Sequence, residues 1–196
     1  MKFILKNKWL FYLLQWTWGI LMNLLGVLIA IGSLITGHKP KRFNHYVYFN
    51  VGKNWGGFES GMFFFTDSSD HLGTKQHESG HGLQNIILGP LMPFVVSIPS
   101  AVRYWLRECK TIKGKYIYTS VLSAILLIIS AALMALGSLV IWLFPIGLVL
   151  ALYTLIIATW LFVREIPKYK SGKYVYYDSI WFEGQATNWG KKYFPQ

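Results

Sequence analysis

The sequence predicts a mainly α-helical integral membrane protein, with about three transmembrane helices and a small α+β region between the first helix and the second. Three observations predict this. Hydrophobic residues make up 54% of the 196, more than in an ordinary soluble domain. Residues 9–36 and 116–163 carry no charged side chain, and each stretch exceeds the roughly 20 apolar residues that cross a bilayer. Residues 37–115 hold the turn-forming and polar residues that the two stretches lack. The chain therefore reads as a single membrane-embedded domain, 1–196, with a span at 9–36, a site-bearing region at 37–115, a hairpin of spans at 116–163 and a tail at 164–196.

The first span follows Lys2, Lys6 and Lys8, which imitate the basic start of a signal peptide. The apolar run is about twice as long as a signal peptide's core, so a retained helix is expected. Next, Tyr46–Phe49 and Met62–Thr66 flank a glycine-containing turn and read as a short hairpin. A helix follows, starting near Ser68–Asp70 or at Thr74 and stopping at Gly89-Pro90. Leu83–Trp105 is apolar but interrupted by Gly89, Pro90, Pro93 and Pro99, so it is expected as two short helices, buried or re-entrant, and not as a crossing.

Within 116–163 the run Phe144–Gly147 marks a turn between two helices. The first half is dense in small residues, Ser130, Ala131, Ala135 and Gly137 among them, which let a second helix backbone come close. The tail is rich in tyrosine and tryptophan, rings favoured at a membrane interface. It ends in a candidate helix, Ser179–Phe194, closed by Gly190 and two lysines.

The formal net charge is +11, and it clusters beside the apolar stretches. Lys39, Lys41 and Arg42 follow the first span; Arg103, Arg107, Lys110, Lys113 and Lys115 precede the hairpin; Arg164, Lys168, Lys170 and Lys173 follow it. No nucleic-acid motif accompanies these residues, so the lipid bilayer is the expected partner and nucleic acid is not. The positive-inside rule places the large loop and the tail in the cytoplasm, while the three N-terminal lysines argue the other way. Cys109 is the only cysteine, which excludes an intramolecular disulfide.

The chemistry concentrates in "HESGH", His77 to His81. On a helix, positions four apart lie about 40° from one another around the axis, so His77 and His81 can reach one ion. Glu78 sits beside such an ion, where a carboxylate can take a proton from a water that Zn2+ has acidified. Gly80 and Gly82 are poor helix formers, tolerable where something approaches closely. Ionisable groups are expensive in a membrane protein, which favours a use for them.

"HESGH" resembles the active-site helix of zincin metallopeptidases, and "HESGHGLQNIILGPL" is similar to a pattern of small bacterial membrane proteins with a gluzincin-like site. The resemblance covers about a third of the chain. It implies a zinc metallopeptidase of a bacterial inner membrane, with a zincin-like α+β site region, an edge strand at Met62–Thr66 that pairs with an extended peptide, and a third ligand from a later helix; the positive-inside rule puts the site on the cytoplasmic side. "WFEGQATNWG" offers Glu183, with Ala186 three residues on; the aspartate that often follows the alanine is Thr187 here. The implied set is His77, His81 and Glu183 on Zn2+ with Glu78 as base, acting on a membrane-associated or hydrophobic peptide or protein. His71 and Asp178 are the next candidates for the third ligand, while Asp67, Asp70 and His71 are expected to cap the helix. Two crossings between His81 and Glu183 would return the chain to the same membrane face. A lipid amide or ester is the alternative substrate, and an accessory membrane protein without activity is the alternative to an enzyme.

Overall fold

The structure, a computed structural model, describes residues 1–172 and 174–195; Lys173 and Gln196 lie outside the described residues. The chain is mainly helical with one small sheet, and it separates into two compact units, Met1–Ser97 with Tyr177–Gln196, and Ile98–Tyr176.

The first unit opens with helices α1 (Lys2–Lys6), α2 (Lys8–Trp16) and α3 (Ile20–Ile35). The expected span 9–36 is not one straight helix, because α2 and α3 meet at 89°. Tertiary hydrogen bonds fix the bend. Asn23 Nδ2 donates to the carbonyls of Gln15 at 2.6 Å and Gly19 at 3.1 Å, while Gln15 Oε1 accepts from Asn85 Nδ2 at 2.7 Å. All three side chains are fully buried, so each bond replaces water that cannot reach the break.

Four strands follow: β1 (Lys41–Phe43), β2 (Tyr46–Asn50), β3 (Gly57–Ser60) and β4 (Phe63–Thr66), in the order β1-β2-β4-β3. The expected pairing of 46–49 with 62–66 exists, but it is parallel and not a hairpin. The hairpins are β1 with β2 and β3 with β4, and β3 lies within the stretch expected as a turn. Consequently β4 is internal and β3 forms the edge, which corrects the expected edge strand.

The site helix is α4 (Leu72–Leu88), ended by Gly89 at φ +54°. Its N-cap residue is His71, whose side chain makes no capping bond. Asp67 instead ties down Ser69 and Gly56, and Asp70 pairs with Lys41 at 3.3 Å and Lys75 at 3.4 Å, so neither aspartate is the expected cap. Phe11, Tyr46, Phe64, Leu83 and Phe194 form the core between the sheet, α2 and α4.

The second unit contains α5 (Ile98–Glu108), α6 (Ile112–Leu136) and α7 (Leu143–Trp160), which continues through a π turn, Leu161–Glu165, into α8 (Ile166–Lys170). Ile112–Leu136 and Leu143–Lys170 are long and apolar enough to cross a membrane. Two sharply bent pairs, Lys8–Trp16 with Ile20–Ile35 and Leu72–Leu91 with Pro93–Glu108, raise the count of candidate spans from two to as many as four. The turn between α6 and α7 precedes the expected one: Pro145 lies in the first turn of α7, where its missing N–H has no helical partner to lose. A Cβ at Gly147 would fall 2.6 Å from the Ser130 carbonyl oxygen, so the small residues do bring these helices together. Arg103 and Glu165, both fully buried, pair at 2.8 Å, and Lys168 also reaches Glu165.

Candidate metal centre

Helix α9 (Trp181–Tyr193) lies across α4 and carries Glu183 to the two histidines. The crossing is close because glycine occurs at both points of contact. A Cβ at Gly80 would fall 2.6 Å from the Ala186 carbonyl carbon and nearer still to its oxygen, and one at Gly190 would meet the Gln76 backbone. Gly190 therefore does not close α9, as the sequence suggested, but lets α4 in.

His77 Nε2, His81 Nε2 and Glu183 Oε2 stand 3.1 Å from one another on all three sides. Tetrahedral zinc, with bonds of about 2.0–2.1 Å, separates its ligand atoms by roughly 3.3–3.4 Å, so the triangle is within a few tenths of an ångström of what the ion requires. Two nitrogens and one carboxylate oxygen also match zinc's donor chemistry. Among the described residues, these three make the one group of histidine, cysteine and acidic side chains close enough to hold a metal.

Each histidine is oriented from behind. His77 Nδ1 lies 2.8 Å from Thr187 Oγ1, so a hydroxyl stands at the position where an aspartate is expected from the motif resemblance. His81 Nδ1 lies 2.8 Å from Gln84 Oε1, and Gln84 Nε2 donates to Phe182 O at 2.8 Å and to Gln185 Oε1 at 3.0 Å. With a metal on each Nε2, the proton of each ring would stay on Nδ1, facing these oxygens as acceptors. Gln84 also fastens α4 to α9 beside Glu183. Neither role was assigned from the sequence, although Gln84 is one turn beyond His81.

Burial alone would raise the pKa of Glu183, but hydrogen bonds from His77 and His81 outweigh it and hold the carboxylate well below its usual range. Burial likewise opposes protonation of His81, yet its bond to Glu183 lifts it to about 9. Glu78 is pushed up by burial, with His77 and His81 offsetting part of the rise. Its side chain reaches β3: a Cβ at Gly57 would fall 2.5 Å from Glu78 Oε1. The Tyr177 ring lies 5.8 Å from that of His77. Of the other candidates, His71 is exposed at the start of α4, and neither it nor Asp178 joins the triangle.

No protein-family model, curated protein or solved structure matches this chain.

Proposed function

We propose that this protein is a membrane-bound zinc hydrolase, a metallopeptidase of zincin-like chemistry acting on membrane-associated or hydrophobic peptides. The observation that carries the reading is the triangle of His77, His81 and Glu183 donor atoms, with the Glu78 carboxylate on the same helix. Zinc held there would polarise a substrate carbonyl and acidify a water. Glu78 supplies the proton transfer: it takes a proton from the attacking water and delivers it to the leaving amine. Its raised pKa suits a group that must hold that proton between the two steps. Thr187 and Gln84 keep the histidines in the ligand tautomer.

The membrane reading rests on α6 and α7. We place the basic end of this hairpin, with Arg107, Lys110, Lys113, Arg164 and Lys168, in the cytoplasm of a bacterial inner membrane, and the site on the same side. The bend between α2 and α3 removes the objection from the N-terminal lysines. At 9 and 16 residues these helices span about 14 and 24 Å, each short of the ~30 Å hydrocarbon core, so the pair can enter the bilayer and return. Labelling Cys109 with an impermeant thiol reagent from either side tests this orientation.

The function is tested by zinc analysis of the detergent-purified chain and by cleavage assays on peptide and lipid substrates. Wild type is expected to hold about one zinc and cleave peptides. Glu78→Gln should keep the zinc and lose roughly 10²–10⁴-fold in rate. Cleavage of lipid amides or esters alone would reassign the substrate. No zinc in wild type, even when it is supplied, would overturn the hydrolase and leave an accessory membrane protein.

A further inference from the structure

Glu59 is a second buried carboxylate beside the metal centre, and the chemistry above does not use it. Gly57 and Glu59 alternate along β3, so both face the same side of the sheet. That side is the one on which Gly57 meets Glu78. Glu59 thus projects toward α4 about 7 Å along the strand from the point where Glu78 touches it. The field of Glu59 reaches both His81 and Glu78. Glu59 and Glu78 are each 4% exposed and His81 6%, so Glu59 is as deeply buried as the groups of the metal centre.

Its partners are few. Glu59 Oε1 accepts the Gly61 N–H. Among the described residues no lysine or arginine pairs with Glu59, whereas the equally buried Glu165 has both Arg103 and Lys168. Burial pushes its pKa up to about 8, with His81 and the Gly61 N–H resisting and Glu78 adding to the rise. A buried carboxylate without a cation is costly to keep. An incoming positive group would remove that cost.

We propose that Glu59 is a specificity-determining residue of this site, receiving an ammonium group of the substrate. The proposal rests on the hydrolase reading and narrows it to peptides that carry a free amine near the bond to be cut, at the N-terminus or on a lysine.

The test uses zinc-loaded, detergent-purified full chain and three metal-binding probes: hexanohydroxamic acid and its 2-amino and 6-amino derivatives, titrated calorimetrically against wild type and Glu59→Gln. Zinc content is measured in parallel. Wild type is expected to bind one of the amino derivatives at least tenfold more tightly than the parent. In Glu59→Gln that ratio is expected to fall to about one, with about one zinc per chain retained. Equal binding of all three probes by wild type, or a preference that survives in Glu59→Gln, would overturn the assignment of Glu59 and leave the metal centre standing. Binding of no probe, with no zinc on the chain, would overturn both. If Glu59→Gln fails to hold zinc, the wild-type comparison decides: equal affinities overturn the proposal. A preference for the amino probe over its hydroxy counterpart supports it, because a neutral hydroxyl of similar size does not pair with a carboxylate as an ammonium does.

Discussion

Replacing Gly80 by alanine should disable the metal centre without touching a ligand. The added Cβ would lie 2.6 Å from the Ala186 carbonyl carbon and 2.8 Å from its Cα, against 3.4 Å for an ordinary contact. Those atoms are backbone, so the helix itself must shift, by at least 0.8 Å to clear the carbon and further to clear the oxygen. Glu183 is on the same helix, one turn before Ala186. A metal site tolerates about 0.2 Å in its ligand distances, so Glu183 leaves the triangle. Alanine gains about 1 kcal/mol of helix propensity over glycine, and overpacking removes about 1–3 kcal/mol; the net change in stability is therefore small or unfavourable. The loss of zinc affinity should be large. Competition with a chromophoric chelator measures it, and Gly73→Ala is the control. Gly73 is on the same helix with nothing within 4 Å of its would-be Cβ, so that variant should keep its zinc and gain up to about 1 kcal/mol. Gly80→Ala with wild-type zinc affinity would refute the account of the crossing.

Glu183→Ala should deplete zinc, and His77→Ala likewise, as read by metal analysis. Gln84→Leu keeps the volume but leaves the His81 Nδ1 proton without an acceptor, and zinc affinity should fall 10–100-fold, with Gln84→Glu recovering much of it. In the second unit, Arg103→Met leaves Glu165 buried with Lys168 alone and should cost about 3–5 kcal/mol in denaturant unfolding, while pairing it with Glu165→Met should restore much of the loss. For chelated protein, His81 is raised from 6.5 to about 9, so its contribution is complete below pH 6.5 and is lost as pH rises through 9. Glu59 and Glu78, also raised, weaken the fold in the same direction as they are forced to ionise. Melting temperature should therefore fall between pH 6.5 and 9 in the chelated protein. Zinc binding should instead strengthen with pH, because protons compete for the histidines.

The grouping of His77, His81 and Glu183 was largely legible in the sequence, and the reason is local. A four-residue spacing on a helix fixes the His77–His81 geometry before any tertiary contact forms, and Glu183 is one of only eight acidic residues. Thr187 and Gln84 were not legible as orienters, since a threonine or glutamine on a helix signals nothing until the partner helix is placed. The apolar blocks were found by composition, but the bend at Thr17–Gly19 was not. It depends on Asn85, far along the chain, whose amide bonds to Gln15 only once α4 has docked. Strand β3 was hidden for a different reason: "GGFES" carries the glycines of a turn, and only pairing with β4 makes it a strand.

Those glycines link the two halves of the proposed chemistry. Gly57 has no side chain, so the Glu78 carboxylate can lie against β3; Gly80 has none, so α9 can bring Glu183 to the histidines of the same helix. A single helix thereby presents its ligands to one neighbour and its base to another, within two turns. Widening either contact should separate the functions. A residue larger than glycine at 57 should displace Glu78 and impair turnover while zinc stays bound, whereas one at 80 should release the metal first. If alanine at 57 cost zinc and alanine at 80 cost only rate, the division of α4 into a metal-binding face and a proton-transfer face would be wrong.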